Sequence, residues 1–91
     1  MDTVLALFKI DIGITHTLRD TFFASLLMAA KLEIEEKGIT LDLTSVEDQI
    51  LLSDYAAWKY RKRQEDVGIS QNLLFRIRNR IVKARSTYIE N

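Results

Sequence analysis

The chain contains no cysteine and no proline, and its only glycines are Gly13, Gly38 and Gly68. Without cysteine there is no disulfide framework and no thiolate metal cluster, and an intracellular, reducing environment is the simplest reading. Without proline no helix is interrupted from within, so the three separated glycines mark breaks between long helical segments. Long hydrophobic runs are missing as well. The N-terminal "TVLALFKI" is too short to span a bilayer and carries Lys9, while Asp2 stands where a secretory leader needs positive charge. "FFASLLMAA" (Phe22 to Ala30) is bracketed by Arg19, Asp20 and the charges from Lys31 to Glu36, at the length of a buried helix. No membrane role is expected. Ninety-one residues make one small domain, near the size at which a single core is only just sufficient, so association between copies is a natural source of further stability.

What is present reads as a small single-domain helical bundle, all-α, with one short N-terminal helix and three longer ones. The short helix covers about 2–10, with Asp2 as N-cap and Val4, Leu5, Leu7 and Phe8 as a small apolar face, and "DIGI" ends it. A second helix is expected over about 16–37. "TLRD" (Thr17 to Asp20) has the form of a capping box, and Leu18, Phe22, Leu26, Ala29 and Leu32 recur at helical spacing. Phe23, Leu27, Ala30 and Ile34 widen that stripe, so this helix is expected to be buried on much of its circumference and to be the central one, and Gly38 suits a left-handed cap. "ITLDL" alternates like a strand but has no partner strand, so 38–44 is read as an extended connector laid over the core. A second capping box, "TSVE" (Thr44 to Glu47), opens a helix over about 45–65. A last helix over about 70–88 carries Leu73, Leu74, Ile77, Ile81, Ala84 and Tyr88 on one face.

The formal net charge of zero conceals a division. Residues 1–58 hold four basic and ten acidic side chains, residues 59–91 nine basic and three acidic. Such polarity can bring copies together head to tail or aim a positive face at phosphates. Catalytic chemistry finds little support: His16 is the only histidine and sits beside an expected helix cap, "EIEEK" reads as the solvated end of a helix, and no glycine-rich phosphate loop exists. The chain reads as a non-enzyme, with no catalytic or metal site and no cofactor.

Two basic clusters remain. Lys59, Arg61, Lys62 and Arg63 are nearly consecutive, and at about 100° per residue they fan around a helix as a collar instead of forming one face. On the last helix Arg76, Arg80 and Lys83 stack at spacings of four and three, with Arg78 and Arg85 in a second row, giving a basic side opposite the apolar stripe. "VGISQNLLFRIRNR" therefore allows a helix-turn-helix reading unit or an ordinary helical hairpin. Beside the first cluster, Tyr55 and Trp58 share a side with Lys62, Ala56 shares a strip with Tyr60, and Ala57 permits close helix approach. The expected core anchors are Phe22, Leu26, Tyr55, Trp58, Leu73, Ile77 and Ile81, with the aromatic polar ends at the rim.

A short N-terminal arm, then "AAKLEIEEKGI", "EDQILLSDYAAWKYRKR" and "ISQNLLFRIRNRIVKAR", resembles the small head–tail connector proteins of tailed bacteriophages, also called adaptor or head-completion proteins. The resemblance spans roughly residues 3–86. Where the family often has a proline before the last helix, this chain has Ile69 and Ser70. The resemblance implies an all-α subunit of a homo-oligomeric ring of about a dozen copies beneath the portal protein. It implies that the ring extends the channel through which DNA passes without sequence-specific grip, and offers a docking surface to a tail or head-closure protein. The implied location is the head–tail interface of the virion, with the host bacterial cytoplasm during assembly or expression from a prophage. On that analogy Lys59, Arg61, Lys62, Arg63, Arg76, Arg78, Arg80, Lys83 and Arg85 are candidates for contacts with neighbouring subunits, portal or channel DNA. Residues 76–91 are the candidate portal-docking segment. The alternative is a small helical DNA-binding protein using the basic C-terminal helices, residues 59–85.

Overall fold

A computed structural model describes the backbone of residues 1–89 and side chains through Arg85. Its elements are four helices: α1 (Asp2–Ile12), α2 (Asp20–Glu36), α3 (Val46–Gln64) and α4 (Gln71–Ile89). No strand occurs among the described residues, so the fold is all-α. The expected aromatic position Tyr88 lies outside the described side chains.

α3 is the central helix, since α1, α2 and α4 all pack on it. Its sequence explains the role: Leu51, Leu52, Ser53, Tyr55, Ala56 and Ala57 are all buried, and the two alanines present so little bulk that neighbouring backbones can come close. The sequence pattern had favoured α2 for this place. α2 instead buries one face, Phe23, Leu26, Leu27, Ala30 and Ile34. The row led by Leu18 and Phe22 is not the core row: Leu18 precedes the helix, Ala29 is exposed, and Leu32 is 55% exposed. Aromatic packing sets the rotation of the helix. Phe23 meets Phe8 at 5.4 Å and Tyr60 at 5.7 Å, both edge to face, which joins α1, α2 and α3 in one cluster.

Helix starts depart from the capping pattern in three places: at α1 the N-cap is Met1 rather than Asp2, without a side-chain cap, and α2 and α3 differ as well. α2 starts at Asp20 with Arg19 at its N-cap and no side-chain cap, because Asp20 is engaged by Lys9 of α1 at 2.7 Å. α3 starts after Ser45, again without a side-chain cap. There Asp42 forms a local turn, its carboxylate accepting both the amide and the hydroxyl of Thr44. Ser70 does cap α4, its hydroxyl accepting the Leu73 amide at 3.1 Å. Gly13 closes α1 in the left-handed region at φ +79°, with Gly13 and Ile14 donating back to Ile10 and Lys9.

The connector 38–44 lies on the core as the sequence suggested, but it carries turns at 37–38 and 43–44 rather than being extended throughout. Ile39 and Leu41 are buried and Leu43 is partly so. Its polar backbone is satisfied from α3, where Asp48 accepts the Asp42 amide at 2.7 Å and Gln49 donates to the Leu43 carbonyl at 2.7 Å.

Candidate functional site

α4 carries the largest group of candidate residues. Leu73 and Ile77 are buried against α3, and Ile81 packs partly on the same core. Arg76 and Arg80 do not stand opposite this row. They flank it and turn toward α3, where Arg76 donates to Asp54 at 2.6 Å and Arg80 forms a two-pronged pair with Asp48, one prong at 3.3 Å. Arg80 also reaches the Thr40 carbonyl at 3.4 Å. The expectation of one continuous basic side is thereby corrected: a stem flanking a buried row can swing its guanidinium onto acids of the helix beneath.

Asp48 is the residue that the sequence pattern did not single out. In the first turn of α3, its carboxylate is buried and holds the connector by the Asp42 amide and α4 by Arg80. Burial alone would raise its pKa. The Arg80 hydrogen bond, the Asp42 amide and the Arg80 charge outweigh burial and hold the carboxyl below its ordinary range. Arg80 is correspondingly raised, first by its hydrogen bond to Asp48. A faint sequence signal existed, an acid at the third position after Ser45, which reads as half of a capping box shifted by one residue.

The basic collar on α3 disperses as its spacing predicts. Lys59 pairs with Glu33 of α2, and Arg61 contacts the Asp11 carboxylate of α1 at 3.3 Å. Lys62 lies over the Trp58 ring at 5.0 Å, and Arg63 over Phe22 at 4.9 Å. Phe22 is covered on another side by Arg19 at 4.6 Å, so it is a rim residue rather than a core anchor. Leu26 and Tyr55 are buried as expected; burial, then the nearby Glu33 charge, pushes the Tyr55 phenol up. Trp58 is half-buried, with its indole N–H donating to the Val67 carbonyl at 3.2 Å. Base stacking on these aromatics would require breaking that arrangement.

Four ion pairs thus join a base of residues 59–91 to an acid of residues 1–58: Lys59 with Glu33, Arg61 with Asp11, Arg76 with Asp54, and Arg80 with Asp48. Part of the charge polarity is neutralised inside the subunit. Arg78 and Arg85 are exposed, as is Lys83, which keeps an interaction of its own.

A shallow cleft of about 410 Å³ between the end of α1, α3 and the start of α4 is lined by Trp58, Asn72 and the pairs Asp11–Arg61 and Asp54–Arg76. Its charged groups are paired with one another, although Arg76 Nε is buried without a hydrogen-bond partner among the described residues. His16 is exposed and accepts the Leu18 amide through Nδ1 at 3.3 Å, a turn role. Among the described residues no group of three histidines or acids is placed to hold a metal ion, and no helix is long and apolar enough to cross a membrane. Compared with models of known protein families, with curated proteins and with solved structures, the chain matches none.

Proposed function

We propose that the chain is a structural subunit of a phage or prophage head–tail connector. It assembles as a ring beneath the portal protein, extends the DNA channel without sequence-specific grip, and presents a surface to a tail or head-closure protein. The observation that carries this reading beyond the resemblance is the division of labour on α4. Its inward arginines fasten the helix to its own subunit, while large apolar side chains remain on the outer surface, Met28 and Leu32 on α2 and Phe75 and Val82 on α4. Exposed apolar rows on a small domain fit repeated protein contacts better than a phosphate-binding face. The DNA-binding alternative loses Arg76 and Arg80, the pair it would need most.

Electron microscopy of the purified chain, alone at high concentration and mixed with the portal protein of the same phage or prophage, tests the reading. The expected result is a ring with a central channel or added density beneath the portal. Dispersed monomers in both samples, together with tight, salt-dependent binding of short duplex DNA, would overturn it.

A further inference from the structure

We propose that the outer face of α4 docks on the outer face of α2 in a second copy of the chain. This deepens the connector reading and rests on it for closure into a ring, though not for the contact itself.

Each helix carries two rows of opposite character. On α4 the buried row of Leu73 and Ile77 faces α3, and at about 100° per residue Gln71, Phe75, Arg78, Val82 and Arg85 form a narrow stripe on the far side. Phe75 is 63% exposed and Val82 62%. On α2 the buried row of Phe23, Leu27, Ala30 and Ile34 is opposed by Ser25, Met28, Leu32 and Glu36. Met28 is 49% exposed and Leu32 55%.

Charge and spacing select the match. Arg78 and Arg85 are exposed and have no partner among the described residues, and neither has Glu36. Aligning the two helices in parallel with Glu36 opposite Arg85 sets Leu32 level with Val82, Met28 beside the stem of Arg78, and Ser25 beside the Phe75 ring. The offsets along the two helices agree within one residue, about 1.5 Å of helix. Leu32 then meets Val82, Met28 meets the aliphatic stem of Arg78, small Ser25 leaves room for the Phe75 ring, and opposite charges close the end. Nucleic acid fits this stripe less well, because Phe75 and Val82 gain nothing from phosphate. The contact joins different faces of the two copies, so each subunit keeps one of each free and the contact repeats, to a ring where the rotation closes.

The natural absence of cysteine makes the test direct, since introduced thiols are the only ones. Full-length Leu32→Cys and Val82→Cys variants, both at exposed positions and checked for native helicity, are mixed at concentrations up to about 1 mM and mildly oxidised. The expected product is a mixed disulfide dimer, at least about tenfold above the dimer formed by either variant alone. The double variant forms a ladder. Adding Glu36→Arg to the first copy, or Arg85→Glu to the second, lowers the yield, and adding both restores it. Absence of mixed product, equal formation of self-dimers, or a thiol at position 82 shielded by duplex DNA instead of by protein would each overturn the proposal. Cross-linking without density beneath a portal would keep this surface and end the connector reading; portal rings without the cross-link would do the reverse.

Discussion

α2 and α4 have nearly the same length, 17 and 19 residues, but are attached to the subunit in different ways. α2 buries five side chains between α1 and α3, among them Phe23, Leu27 and Ile34 with no exposed surface. Among the described residues α4 buries only Leu73 and Ile77, and is held besides by Arg76 on Asp54 and Arg80 on Asp48. Each large apolar side chain taken out of water is worth about 1.5–3 kcal/mol, so buried area is the main attachment of α2, with the Lys9–Asp20 and Lys59–Glu33 pairs added to it. Where area is small, directed charge fixes position. α4 is therefore a helix whose register depends on two acids of α3, and whose outer side remains available for another molecule.

The strongest way to break this comparison is to remove area from α2. Phe23→Ala is expected to cost about 3–5 kcal/mol in chemical denaturation, because the cavity opens between Phe8 and Tyr60. Leu73→Ala, at the edge of the core, is expected to cost less, and equal losses would erase the distinction between the helices. Next comes the ion pair. Arg80→Ala leaves the Asp48 carboxylate buried without its cation, an expected loss of about 2–4 kcal/mol, and adding Asp48→Asn should recover part of it.

Acid should sharpen the same point with a smaller effect. Asp48 has its pKa lowered in the folded chain, so it contributes stability above the ordinary carboxyl value of about 3.9 and loses it as pH falls through the depressed folded value. Denaturation midpoints are expected to drop below about pH 4, and the drop should flatten in Asp48→Asn. Arg76→Ala removes a pair that is one-third exposed on both sides and should cost only about 0.2–1 kcal/mol. The smallest effect belongs to the outer row. Phe75→Ser should leave unfolding within about 0.5 kcal/mol of the parent while weakening self-association measured by sedimentation.

Much of the fold was legible because it depends on local rules. Gly13 and Gly38 end helices in the left-handed region, Ser70 caps α4, and the Leu73 and Ile77 row faces inward as its spacing requires. The connector was readable from alternation without a partner strand. Misplaced features have a common cause. Phe22 and Phe23 are adjacent and equally apolar, and only Phe8 and Tyr60, distant in sequence, select which of them enters the core. Thr17 and Thr44 have the right neighbours for capping boxes, but Lys9 takes the Asp20 carboxylate and Asp42 takes the Thr44 hydroxyl. Sequence spacing also places Arg76 and Arg80 in one row with Lys83, and nothing local reveals Asp54 and Asp48 beneath the first two.

Composition and periodicity by themselves determined an all-helical chain with three breaks, no disulfide, and a basic C-terminal part, because each follows from the intrinsic preferences of residues and their immediate neighbours. The tertiary structure decided the rest. It made α3 rather than α2 the centre, turned Arg76 and Arg80 of the apparent basic face inward, and left Met28, Leu32, Phe75 and Val82 outside. The reason is that an apolar or charged side chain has no address of its own: its place is set by which partner surfaces the other helices bring within a few ångströms.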